Sequence, residues 1–121
     1  MKKIAKLTLA LAAIAIAGTS AFAKKQKVFK IGAIQLVEHP ALDASYKGFV
    51  DGLKEAGYED GKNIKIIYEN AQGEQANCVT IADKLISQRC NMIFAIATPA
   101  AQAVANKTET TPILITAVTD P

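Results

Sequence analysis

The sequence predicts an α/β fold, a three-layer sandwich in which a parallel sheet is covered by helices on both faces. Three observations predict it. Four runs, 28–37, 63–71, 91–97 and 112–118, are rich in β-branched residues and nearly continuous in hydrophobicity, as strands buried on both faces are. The three segments between them carry apolar residues at helical spacing. The connections are short, and a βαβαβαβ order with short connections gives parallel strands joined by right-handed crossovers.

Taken in order, VFKIGAIQLV at 28–37 is the first strand. Pro40 opens a helix in which Leu42, Tyr46, Phe49, Val50, Leu53 and Ala56 recur at spacings of four and three, with Asp43, Lys47, Asp51, Lys54 and Glu55 between them; Gly57 ends it. A polar turn, Glu59-Asp60-Gly61-Lys62, leads into NIKIIYENA at 63–71. Gln72-Gly73 breaks that strand, and 74–89 shows helical period through Cys78, Ile81, Ala82, Leu85 and Ile86. NMIFAIA at 91–97 is the third strand, Thr98-Pro99 starts an alanine-rich helix reaching about Lys107, and PILITAV at 112–118 is the fourth strand.

Of the doubly wound strand orders, 2-1-3-4 suits this pattern and places a topological switch point beside the first strand. Ligand sites in such sheets lie at the carboxyl ends of strands, which makes 35–43, 70–75, 97–101 and 118–121 the candidate segments. The same order leaves one face with a single helix. With a last strand ending in Asp120-Pro121, residues 24–121 read as a partial lobe whose sparsely covered face exposes apolar surface.

Residues 1–23 have the form of a cleavable secretory leader. Lys2, Lys3 and Lys6 precede an apolar run, Leu7 to Ala17, broken only by Thr8, and Ala21-Phe22-Ala23 supplies the small residues of a cleavage site. That run is about half the ~20 residues a membrane span needs. Removing the leader's three lysines from the 14 basic residues leaves 11, matched by 11 acidic ones. The remainder is formally neutral, which excludes the basic footprint of a nucleic-acid binder; the lysines clustered at 24–30 read as a solvated tail. Export implies an oxidising compartment. Cys78 and Cys90, 12 residues apart along and just beyond a helix, would lie about 18 Å apart at 1.5 Å per residue, too far for a bridge that needs Cα atoms within about 7 Å. Two free thiols are expected.

The sharpest local feature is Ala97-Thr98-Pro99-Ala100-Ala101. Thr98 is a good N-cap and Pro99 suits the first helical position, leaving the amides of Ala100 and Ala101 free at the positive end of the helix dipole. Such a place suits an anionic group, although a threonine cap needs no ligand to explain it. Gln35, Glu38, His39 and Asp43 surround the switch-point loop, and Asp120 stands at another strand end, where a carboxylate could take the ammonium of a zwitterion. His39 before Pro40 reads as a turn residue. No phosphate loop, dinucleotide fingerprint or nucleophile elbow occurs, no cofactor is implied, and a lone histidine completes no metal set. An enzyme using Cys78 fails because that residue falls within a helix. Asn106-Lys107-Thr108 fits the glycosylation pattern, one that is common by chance.

Taken together, IGAIQLVEHPALDASYKGFVDGLKEAGY at 31–58, YENAQG at 68–73, IATPAAQAVAN at 96–106 and PILITAVTDP at 112–121 resemble the substrate-binding proteins of ABC importers, closest to the type I periplasmic family with tryptophan- and tyrosine-binding members. The likeness matches the N-terminal part of such a protein. It implies two α/β lobes that close on a small solute and present it to a membrane permease, with no catalysis. Glu38 and His39, Gln72, the Thr98, Ala100 and Ala101 helix start, and Thr119 with Asp120 would then face the cleft. The solute by this resemblance is an amino acid, aromatic or similar, while Tyr46 and Phe49 sit at core spacing and read as packing residues. A ligand-sensing domain that signals to a membrane receptor would use the same fold and cleft.

Overall fold

The structure, a computed structural model, describes residues 28–119. The expected leader at 1–23 and Asp120 lie outside the described residues. β1 (Phe29–Gln35), β2 (Ile64–Asn70), β3 (Met92–Ile96) and β4 (Ile113–Thr116) form one sheet in the order β2-β1-β3-β4, every pair parallel. The crossovers run through α1 (Pro40–Glu55), α2 (Gln75–Ser87) and α3 (Thr98–Ala105). The predicted order of elements and of strands is the observed one, with boundaries one or two residues tighter.

β1 is central and β3 lies beside it, and both are buried along most of their length. Their alternate residues feed two different layers. Ile34, Ile93 and Ala95 join Cys78, Ile81, Ala82 and Leu85 of α2 and Ala100, Ala103 and Val104 of α3 in one cluster. The alanines are what let two helices and the sheet come so close. Gly32 carries this furthest: a Cβ there would stand 3.1 Å from Cys90 Sγ and from both Leu85 methyls. On the opposite face α1 stands alone, held by Phe49 stacked on Phe94 at 4.1 Å between ring centroids and by Tyr46 against Tyr68 at 4.5 Å.

α1 has no buried residue, so this face is the thinner layer. Phe29, Tyr58, Tyr68 and Leu114 are all exposed large hydrophobics, and in register Phe29, Tyr68 and Leu114 share the face of Phe94. α1 ends as its sequence indicates. Gly57 takes φ +98°, which a glycine adopts without penalty, and Tyr58 N–H returns to Leu53 O at 2.8 Å.

Cys78 and Cys90 are free and buried. Burial pushes both thiols above their ordinary range, with Lys30 partly offsetting this at Cys90. A thiol whose folded pKa is raised costs nothing below its unfolded pKa and opposes folding as pH rises beyond it. Stability should therefore fall as pH climbs from the ordinary thiol range upward, and in Cys→Ala variants at either site the fall should be shallower; denaturant titrations from pH 7 to pH 10 check this. Thiol titration of the native protein should be slow, with two equivalents appearing on unfolding. Gly32→Val should cost about 1–3 kcal/mol through overpacking against Leu85 and Cys90, read from the urea midpoint.

Candidate functional site

The carboxyl ends of β1 and β3 are where the chain parts to opposite faces. Gln35 and Ile96, the last residues of the two strands, are register partners, and Leu36 N–H reaches Ile96 O at 3.3 Å. Past this point α1 departs to one face and α3 to the other, so their N-termini stand on opposite sides of the switch point, the place where sheets of this kind form a ligand crevice.

On the β1 side, His39 is the N-cap of α1. Its Nδ1 accepts from Ala41 N–H at 3.1 Å, so the imidazole has a structural task beyond that of a turn residue. Glu38 and His39 are both exposed. Gln35, by contrast, is fully buried although polar. Its Nε2 donates to Asp43 Oδ1 at 2.7 Å and to Val37 O at 2.9 Å.

Gln72 is exposed in the loop after β2 with φ 57°, and Asn70 Oδ1 accepts from its N–H at 2.8 Å. That loop is tied to the switch point by Ala71 N–H to Gln35 O at 2.9 Å and Gly73 N–H to Leu36 O at 2.8 Å.

On the β3 side the structure corrects the expected helix start. The N-cap is Ala97, and Thr98 is the first residue of α3 with Pro99 second. Thr98 does not cap. Its Oγ1 instead accepts from Thr119 N–H at 3.1 Å and lies 3.4 Å from Thr119 Oγ1, tying the helix start to the segment after β4. Nor is the amide of Ala101 free, since it makes the first turn's bond to Ala97 O at 3.1 Å. Ala100 is wholly buried, so its amide does not reach the open edge. The donors that do stand at this edge are the Thr98 N–H, which has no acceptor among the described residues, and the Thr98–Thr119 hydroxyl pair. When one hydroxyl of such a pair donates to the other, the second O–H is left to donate outward.

Sequence reasoning missed the backbone at these junctions. Ala97 has φ 86° and ψ 155°, a region almost reserved for glycine, and Ala117 has φ 56°. With Gln72, a non-glycine residue at positive φ follows each of β2, β3 and β4. Nothing in the sequence signals an alanine in such a conformation. The burial of Gln35 did carry a signal, a lone amide ending the apolar run 31–34.

Residues 30–121 match the family described as ABC transporter substrate binding protein. The chain belongs to that family. Among its relatives, the tyrosine-binding protein of Clostridioides difficile (strain R20291) is 52% identical over 98 residues, which is 81% of this chain and 28% of that protein. A substrate-binding protein with adhesive properties from Clostridium difficile, solved ligand-free and open, superposes with a TM-score of 0.77 at 54% identity, over 78% of this chain and 32% of that one. The ABC domain from Streptococcus pneumonia in complex with L-Trp gives a TM-score of 0.75 at 42% identity over the same shares. This substrate-binding protein sequence thus spans about a third of the length of the relatives it matches. The family resemblance read from the four sequence segments is correct, and so is the expectation of a binding protein and not an enzyme.

The strained junction gives a test. A non-glycine residue in this region of backbone space costs about 1–3 kcal/mol, and a glycine's extra freedom in the unfolded chain returns roughly 0.4–1 kcal/mol of that. Ala97→Gly should therefore raise stability by about 1 kcal/mol, and Ala97→Val should lower it, both read from denaturant midpoints.

Proposed function

We propose that this chain is the cleft-forming N-terminal lobe, residues 24–121, of a periplasmic solute-binding component of an ABC importer, and that its solute is an amino acid with an aromatic side chain. The observation that carries the reading is the topological switch point between β1 and β3, where such sheets bind ligands, in a chain whose relatives include a tyrosine-binding protein and a domain complexed with L-Trp. The leader, cleaved after Ala23, delivers the protein, and the loaded form presents its solute to a membrane permease. In keeping with this, no helix among the described residues is long and apolar enough to cross a membrane.

The solute's carboxylate docks at the start of α3. Thr98 supplies its amide at the positive end of the helix dipole, and the Thr98 and Thr119 hydroxyls supply the outward O–H. Ala100 and Ala101 contribute through their position in the first turn, by letting α3 seat closely on the sheet, rather than by their own amides. Glu38, His39 and Gln72 form the rim across the crevice, and Asp120 continues the segment that Thr119 anchors. The ammonium is taken by a carboxylate of this same edge.

The sequence contains no tryptophan, so indole fluorescence in a titration reports the ligand alone. L-Tryptophan should bind, and its carboxamide should bind about tenfold or more weakly, because a charge-assisted bond to the carboxylate is worth about 1.5–3 kcal/mol. Thr98→Val, which keeps the shape and loses the hydroxyl, should weaken L-tryptophan and leave the carboxamide little affected. Equal binding of acid and amide would sink this placement of the carboxylate. Failure of the protein to bind any aromatic amino acid would sink the solute assignment.

A further inference from the structure

The least explained polar group in the molecule is the side chain of Gln35. It is fully buried at the carboxyl end of the central strand, where an apolar side chain would be the less costly choice. Its orientation follows from its neighbours. The atom facing Val37 O and Asp43 Oδ1 has two acceptors in front of it, so it must be the NH2 group, and both of its protons are used. Oε1 is then left buried without a donor among the described residues.

The result is a spot rich in acceptors and poor in donors. The Gln35 NH2 group donates to one Asp43 carboxylate oxygen and to the Val37 carbonyl, and the second Asp43 oxygen is left without a described donor. Asp43 is exposed, and no lysine or arginine among the described residues forms an ion pair with it, so its charge is open to a ligand. A group carrying N–H donors and a positive charge complements the exposed Asp43 carboxylate. A metal ion is the poorer fit, because a hard cation gathers six or more oxygens and no cluster of three ionisable ligands occurs among the described residues.

We infer that Asp43, held in place by Gln35, takes the ammonium of the solute. This rests on the amino-acid reading of the crevice and names the carboxylate which that reading requires. Glu38 is nearer the rim but makes no described hydrogen bond, so its longer side chain would have to be ordered on binding. Asp43 is ordered already, and a preorganised charge loses less on binding. The placement also suits the crevice. Asp43 stands in the first turn of α1 on one side of the switch point and Thr98 in the first turn of α3 on the other, so the two charges of a zwitterion meet opposite walls.

The test compares L-tryptophan with 3-(indol-3-yl)propanoate, which keeps the ring and the carboxylate and lacks the ammonium, read by ligand fluorescence. The parent should prefer L-tryptophan by tenfold or more. Asp43→Asn should lose that preference by weakening L-tryptophan while the propanoate binds as before, and Gln35→Leu should do the same to a smaller degree. If Asp43→Asn binds L-tryptophan as the parent does, or weakens both ligands equally as a purely structural residue would, the assignment of Asp43 is wrong and the amino-acid reading stands. An unchanged preference in Gln35→Leu would remove Gln35 from the assignment. A parent that binds neither ligand would overturn the amino-acid reading and this inference with it.

Discussion

β1 is paired on both edges and buried on both faces, and the rest of the structure follows from covering it. A strand with Ile31, Ala33 and Ile34 all out of water needs a layer above and a layer below. The chain meets that need by sending the crossover after β1 to one face and those after β2 and β3 to the other. Two crossovers that leave neighbouring strand ends for opposite faces cannot close over the space between them. The crevice at the switch point is a by-product of burying β1, available for binding before any particular side chain is considered.

The two layers solve the covering problem differently. α2 and α3 approach closely because Gly32, Ala82, Ala100 and Ala103 present little side-chain bulk, and the cluster they share with β1 and β3 is buried and hydrophobic. α1 approaches on larger spacers, Phe49 on Phe94 and Tyr46 on Tyr68. A helix held by two aromatic contacts, with no fully buried residue, is the more loosely fixed of the three. Its N-terminus is nevertheless well anchored, by the His39 cap and by the Gln35–Asp43 bond. The firm end of α1 is the end at the crevice.

Much of this was legible in the residues. The near-continuous apolar strands, the helix opened by Pro40 and closed by Gly57, and the break at Gln72-Gly73 are local signals whose physics does not depend on tertiary context. They gave the element order, the short connections gave parallel strands with right-handed crossovers, and 2-1-3-4 was the doubly wound order that suited the pattern. The site was legible only as far as the four segments at the strand ends. Thr98 looked like a cap because threonine before proline and alanine usually is one. The structure moves the cap to Ala97 and gives the Thr98 hydroxyl to Thr119, a residue 21 positions away. That pairing depends on the β3–β4 register, which no local pattern encodes. Gln35 was visible as a polar residue near the loop, yet its burial and its two acceptors exist only once α1 has folded back over β1.

The junctions after β2, β3 and β4 share a feature that links stability to the crevice. Gln72, Ala97 and Ala117 all hold positive φ without being glycine, as does Arg89 just past the end of α2, whereas the end of α1 uses Gly57 for the same purpose. A backbone that could relax at these points would swing the first turn of α3 and the Thr119 segment away from each other. It is held by hydrogen bonds on either side: Ala97 N–H to Thr116 O at 3.0 Å, Ala101 N–H to Ala97 O, and Thr119 N–H to Thr98 Oγ1. The β2 junction is tied likewise, through Gly73 N–H to Leu36 O, to the loop that Gln35 holds. Each strained residue is thus braced by its neighbour's loop, so the rim of the crevice behaves as one connected piece. Such bracing fixes donors at α3 and acceptors at α1 before a solute arrives, which is the condition for spending little binding energy on ordering the site.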